Sequence, residues 1–286
     1  MSHFPFAFGM NEFTTQPWSF EEDIQHYAAL GVETIELCEN KLDPHRLDEQ
    51  MALLKESGLK LSSFQPLVRT FGASKMVPYP QEAERRFARL EESLHRFAPY
   101  AQNVPFVVNT GAPDNGDVYG CIHHTIDSLH RLCPLAQELG VTLSLEPLNP
   151  TSINYETAIW TIDQALDIIK AVNHPALGLC LDYWNIWQQP DVCAAIRRAG
   201  TLINVVQISD WRTPRSAADR LIPGAGCIPL HEMLHATWDA GFRGACAVEI
   251  FSSDVSDSLY QGDLSALITQ CRLALETLWA QPTSPS

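Results

Sequence analysis

VTLSLEPLNPTSINYETAIWTIDQALDIIKAVNHPALGLCLDYWN, residues 141–185, decides the fold. An apolar run over 141–149 is followed by an amphipathic segment over 156–172, which stops before His174-Pro175, and by a second apolar run over 176–184. Both runs are short and apolar on both faces, as parallel strands buried between two layers are. The segment between them has helical periodicity, and strand, helix and strand in this order point to a parallel pair. The first strand delivers Glu146 and the second Asp182.

The same unit recurs along the chain. Strands are expected over 6–10, 33–40, 59–65, 105–111, 141–149, 176–184, 202–210 and 245–251, and helices over 19–31, 43–58, 81–102, 122–140, 156–172, 190–200, 230–241 and 264–281. Gly31, Gly58, Gly140, Gly200 and Gly241 follow five of the helices, where a left-handed residue closes the last turn. Eight units in 286 residues is about 36 residues each, the size of a single (β/α)8 TIM barrel, an α/β fold. A doubly wound open sheet is the alternative, and no GxGxxG or GxxxxGK[ST] follows the first strand to favour it. Residues 1–280 read as the barrel and 281–286 as a disordered tail.

Composition bounds the partners. With 19 Lys and Arg against 34 Asp and Glu, the formal charge is −15, which argues against nucleic acid and against an anionic membrane surface. The eight cysteines are scattered without a CxxC pair, so they read as buried thiols of a reducing, cytoplasmic compartment. No leader is visible in MSHFPFAFGMNEF, and no apolar run approaches the ~18 residues of a membrane span. A homo-oligomer is left open.

In such a barrel the active site lies at the C-terminal ends of the strands. The fifth strand delivers Glu146, the sixth Asp182, the seventh Gln207 in VVQISD and the eighth Glu249 in AVEIF. A buried unpaired carboxylate is costly, and three converging carboxylates repel one another. One divalent metal ion resolves this. Two Glu, one Asp and one amide oxygen form a hard, all-oxygen set suited to Mn2+ or Mg2+, with Gln207 turning its carbonyl oxygen into the mouth. Taken singly, each acid reads equally well as a helix cap or an arginine partner. Four consecutive strands each delivering an oxygen favour the metal.

Around this set, Tyr183, Trp184, Trp187, Trp211, Phe6 and Phe8 offer aromatic faces suited to the C–H side of a sugar, although each alone reads equally as barrel-mouth contact. Arg69 and Arg212 are placed to take a carboxylate or phosphate. The lack of a phosphate loop at a helix start favours a non-phosphorylated sugar or sugar acid. HEMLH, residues 231–235, matches a zinc-protease pattern but falls in a helix expected on the outside of the barrel. His123 and His124 read as surface or helix contacts, and GAPDNGD, 111–117, as a turn-rich loop able to act as a lid.

The order Glu, Asp, X, Glu on strands five to eight resembles the sugar phosphate isomerase/epimerase superfamily, the xylose-isomerase-like TIM barrels. The likeness is carried by LEPLN (145–149), the Asp182 segment, QISDWR (207–212), DRLIPGAG (219–226) and VEIF (248–251). It implies a divalent metal, often Mn2+, on Glu146, Asp182 and Glu249. It also implies that Glu146 and Glu249 act as acid and base on the two faces of a substrate carbon. Arg212 matches an arginine that contacts substrate oxygens, and Glu156 an acid that supports Glu146. Gln207 stands where relatives commonly carry a metal-binding His. Asn185 stands where many carry a second, substrate-binding His. Expected substrate contacts are thus Arg212, Glu156, Asn185, Trp184, Trp211 and Phe8.

The expected enzyme acts on a small keto-sugar or sugar acid through an enediolate. Isomerase or epimerase is the first reading. A metal-dependent lyase, either a decarboxylase of a 3-oxo sugar acid or an eliminase (deglycosidase) on 3-keto-glycosides, is the second. A non-catalytic barrel subunit is the third.

Overall fold

The computed structural model describes residues 4–282, so residues 283–286 of the expected tail lie outside the described residues. Eight strands, β1 (Ala7–Asn11), β2 (Thr34–Cys38), β3 (Lys60–Gln65), β4 (Pro105–Val108), β5 (Thr142–Leu145), β6 (Leu177–Asp182), β7 (Ile203–Ile208) and β8 (Ala245–Val248), pair in parallel in chain order. β8 returns to β1, with Met10 opposite Val248, and closes the barrel. Around it run α1 (Phe20–Ala29), α2 (Leu47–Ser57), α3 (Ala83–Phe97), α4 (Val118–Leu139), α5 (Ile162–Val172), the single turn α6 (Tyr183–Ile186), α7 (Val192–Ala199), α8 (Leu230–Asp239) and α9 (Leu264–Trp279). The protein is a single (β/α)8 TIM barrel.

The apolar faces of the helices and the outward side chains of the strands form one continuous core between the two layers. Inside the barrel, Val107, Cys180 and Val205 form a small separate apolar layer. Above it the strands turn polar side chains inward, and that change of layer positions the site.

Helix ends follow local chemistry, and this explains where expectation and structure part. The amphipathic run from 156 becomes helical only at Ile162. Thr161 caps Gln164 N, and the Gln164 side chain accepts from Thr161 N, so this reciprocal pair sets the start. Residues 156–160 are thereby released to the loop above β5. α4 starts earlier than the spacing suggests, because Asp117 accepts from Gly120 N and draws the first turn to Val118.

Strand parity corrects one expected contact. Asn11 of β1 points into the barrel, so Phe8, three residues earlier, points out. Its ring lies under the guanidinium of Arg272 of α9, 4.4 Å away. Phe8 is a core residue of the outer layer and does not line the mouth.

Candidate active site

The inward polar layer begins at the strand termini. Glu146 follows β5, Asp182 ends β6, Gln207 lies in β7 and Glu249 follows β8, and all four are buried. β1 and β2 add Asn11 and Glu36, which are paired in register and equally buried. Buried polar groups need partners, and most of these find one another, Asn109 Oδ1 and Arg220 Nε being left without a hydrogen bond. The Asn11 amide donates to Glu36 Oε2 at 2.7 Å and to Glu249 Oε1 at 2.9 Å. The Gln207 amide crosses the barrel, donating to Glu36 Oε1 and Oε2 at 3.1 and 3.0 Å and to Glu249 Oε1 at 3.1 Å. Asn185 donates to Glu146 Oε1 at 2.9 Å and to Asp182 Oδ2 at 2.8 Å. Asn109 donates to Glu146 Oε2 at 3.0 Å.

Gln207 therefore stands in the predicted place with the opposite end forward. Its NH2 group faces the carboxylates, and its oxygen accepts from the Cys180 thiol at 3.3 Å. In this arrangement it is a donor to acids, which corrects the expected carbonyl oxygen at the mouth. The neighbouring carboxylates offer acceptors alone, so an amide among them turns its hydrogens toward them.

A buried arginine completes the layer. Arg220 places Nη2 3.0 Å from Asp182 Oδ2 and Nη1 2.5 Å from Glu249 Oε2, with its guanidinium 4.8 Å from the centroids of both the Trp184 and Phe251 rings. Arg212, the expected basic contact, is exposed on the turn after β7. Arg220 reaches the acids in its place because the segment after β7 doubles back. Asp210 and Leu221 exchange both backbone hydrogen bonds, at 2.9 and 2.8 Å, and Arg220 N donates to Phe251 O at 2.8 Å. Asp210 then accepts from the backbone N–H groups of Gly224, Gly226 and Ile228. Gly226 fits because an added Cβ would lie 2.3 Å from Asp210 Oδ1 and from the Trp211 carbonyl. Trp211 packs on Trp187, ring centroids 5.7 Å apart, and is also not part of the cavity lining.

A cavity of about 670 Å³ opens over this layer, lined among others by Glu146, Glu249, Arg220, Trp184, Asn185 and Glu156. Of the expected substrate contacts, Glu156, Asn185 and Trp184 reach it; Arg212, Trp211 and Phe8 do not. Glu156 accepts from Ser74 Oγ at 2.9 Å and lies 3.5 Å from Arg69, so it tethers the loop after β3 to the mouth instead of touching Glu146. His231 and His235 of HEMLH pack around α9: His231 Nδ1 meets Leu278 O at 2.9 Å, and His235 stacks on Trp279 at 4.1 Å.

Burial of so many acids shifts their proton affinities. Desolvation pushes Glu36 up to about 7, with the nearby Glu249 adding to it. Desolvation also takes Asp182 to about 7, opposed by Arg220 and reinforced by Glu249. Glu146 is raised well above the carboxylate range by desolvation, then by Asp182 and Glu249. Glu36 and Asp182 thus exchange protons near neutral pH, and Glu146 holds its proton more tightly than an ordinary carboxyl. Among the described residues, no three acid, thiol or imidazole side chains meet as ligands around one point, since Arg220 and Asn185 stand between the carboxylates.

Asn11, Glu36 and Arg220 were not anticipated from the sequence. Asn11 and Glu36 carry the same signal as Gln207, a polar residue in an apolar strand, and TIELC displays it plainly. Arg220 lies within DRLIPGAG, but its place depends on how the loop returns.

A family model described as a xylose isomerase-like TIM barrel matches residues 24–284. Three curated relatives are enzymes. The D-psicose 3-epimerase of Enterocloster bolteae is 25% identical, covering 83% of this chain and 79% of the relative. The inosose isomerase of Halalkalibacterium halodurans is 24% identical, covering 79% of this chain and 78% of its own. The 3-dehydroshikimate dehydratase of Pseudomonas putida is 26% identical over 81% of this chain, which spans 36% of that protein. Among solved structures, the IOLI protein with a bound zinc atom superposes with a TM-score of 0.80 at 20% identity, covering 96% of this chain and 98% of that one.

Proposed function

This chain belongs to the xylose isomerase-like TIM barrel family, and on that premise we propose that it is a divalent-metal-dependent epimerase or isomerase of a small keto-sugar or sugar acid. The observation that carries the reading is the placement of Glu146 and Glu249. They follow strands β5 and β8, three apart in the barrel, and face one cavity. Glu249 faces three donors, Arg220, Asn11 and Gln207, surroundings that suit the group taking a proton from carbon. Glu146 is raised well above the carboxylate range and suits the group returning one. A proton leaves the carbon beside the carbonyl to Glu249, and one comes back from Glu146 to the other face or to the neighbouring carbon. The two outcomes are epimerisation and isomerisation, and the microscopic reverse exchanges the roles. Trp184 lines the sugar's path, and Asn185 holds Glu146 and Asp182 in register.

The donor set fits a hard cation. Four buried acids, Glu36, Glu146, Asp182 and Glu249, crowd a layer in which, among the described residues, Arg220 is the one arginine paired with Asp182 and Glu249; burial raises the proton affinities of Glu36, Glu146 and Asp182, and neighbouring acids add to it. With the Arg220 guanidinium and the Asn185 amide withdrawn from between them, Glu146, Asp182 and Glu249 would hold Mn2+ or Mg2+, joined by Gln207 when its amide turns over and brings its oxygen forward. When bound, the ion polarises the substrate carbonyl and acidifies the adjacent C–H. The curated epimerase and isomerase relatives support the reaction class, and the bound zinc of the IOLI protein supports a divalent ion.

The dehydratase relative favours a second reading, in which the same proton removal is followed by loss of a β-substituent. Eight free thiols accord with a reducing compartment such as the cytoplasm. Incubation of the Mn2+-loaded protein with ketoses and 3-oxo acids in D2O tests the proposal. Deuterium on the carbon next to the carbonyl, without loss of mass from the skeleton, is expected. Loss of water or CO2 would move the assignment to the lyase. No exchange and no stoichiometric metal would overturn both.

A further inference from the structure

Resting on the reading above, we propose that the substrate is a sugar bearing a neutral, flat, apolar substituent, an aromatic ring in the first instance, and that Phe13, Phe251, Leu67 and Met76 form its subsite.

The reacting acids occupy one end of a cavity of about 670 Å³. At ~30 Å³ of liquid volume per water, a hexose fills the space of roughly six waters, while the cavity takes about twenty. Free sugar would leave most of it wet. The remaining lining changes character. Phe13 after β1 and Phe251 after β8 stand side by side, ring centroids 4.9 Å apart and inclined by 33°. Both are only half-buried, and the space in front of them is the cavity. In the loop after β3, Leu67 is 39% and Met76 60% exposed, and both line the same cavity.

Large apolar side chains left in water at a pocket mouth mark a binding surface for apolar matter. Methionine and aromatic rings adapt to a flat partner. The Arg220 guanidinium lies against the Phe251 ring and pairs with Asp182 and Glu249, so this wall is tied to the catalytic floor. One molecule spanning both must therefore be polar at one end and apolar at the other. The four side chains of this wall carry no charge and offer an anionic substituent no partner.

Binding separates this from a simple sugar pocket. Calorimetry on the full-length, Mn2+-loaded protein would compare methyl and phenyl β-D-glucopyranoside, the matching galactopyranosides, and cellobiose as a polar extension of similar reach. In at least one matched pair the phenyl member is expected to bind about tenfold more tightly than the methyl member. Phe13→Ala and Leu67→Ser, two changes at incompletely buried positions, are each expected to remove most of that gain while leaving methyl glycoside affinity unaltered. Equal binding of phenyl and methyl members, no binding of either, a gain with cellobiose instead, or a phenyl gain that survives both substitutions would overturn the proposal. Deuterium exchange into free ketoses reads the reaction separately. Exchange without a phenyl gain sinks the substrate class alone, and a phenyl gain without exchange sinks the proton-transfer reading alone.

Discussion

At the scale of single residues, the site is a set of acids held by amides. Glu249 touches Arg220, Asn11 and Gln207, so Glu249→Gln keeps the shape and removes the base. Solvent exchange is expected to fall by about 10²–10⁴-fold, with glycoside affinity changed far less. Full exchange in this variant would dismiss Glu249 as the proton acceptor. Arg220 makes a second, opposite prediction. Its guanidinium lies between Asp182 and Glu249, where it repels a second cation. Arg220→Gln should therefore bind Mn2+ more tightly than the wild type in calorimetry while losing turnover. Weaker Mn2+ binding would place the ion elsewhere. Gln207, Asp182, Glu146 and Glu249 were legible in the sequence because a polar side chain stands out in an apolar strand. Which end of the Gln207 amide faces the acids was not, since only its spatial neighbours orient it.

At the scale of elements, the strands and most helices follow from periodicity and end signals, whereas the loops carry what the sequence hid. The segment between β7 and α8 is the clearest case. Asp210 gathers four backbone N–H groups, those of Trp211, Gly224, Gly226 and Ile228, and this fold of the loop brings Arg220 to the mouth while Arg212, nearer in sequence to β7, stays outside. Asp210→Ala strands those donors and is expected to cost about 2–3 kcal/mol in denaturant unfolding. The same change should lower kcat by releasing Arg220. An unaltered unfolding midpoint together with unaltered kcat would separate the loop from the site. Phe8 and Trp211 were misplaced for related reasons: parity turns the first outward, and Trp187 draws the second aside.

At the scale of the whole molecule, burying so many acids in one barrel makes stability depend on protons and cations. Glu36 and Asp182 titrate at about 7 in the folded chain, against 4.5 and 3.8 ordinarily. A carboxyl raised on folding holds its proton more tightly in the native state. It therefore contributes stability that is complete below its ordinary value and lost as pH rises through about 7. The chelated protein should show a Tm that falls between about pH 5 and 8, and Glu36→Gln should flatten the slope. Mn2+ competes with protons for the same oxygens, so it should raise Tm more at pH 8 than at pH 5.5. A pH-independent Tm without metal, or an equal Mn2+ effect at both values, would contradict the charge balance drawn here.

The chain's own pattern was enough for the barrel, because eight strand–helix units of about 36 residues, with no phosphate-binding motif after the first strand, favour a closed parallel sheet over an open one. It also determined which strand termini carry oxygen, because that follows from order and parity along the chain. The tertiary structure alone decided that Asn11 and Glu36 join the layer from across the barrel, that Arg220 rather than Arg212 meets the acids, and that Gln207 turns its NH2 inward. Those three depend on contacts between residues 25 to 238 positions apart, which no local pattern encodes.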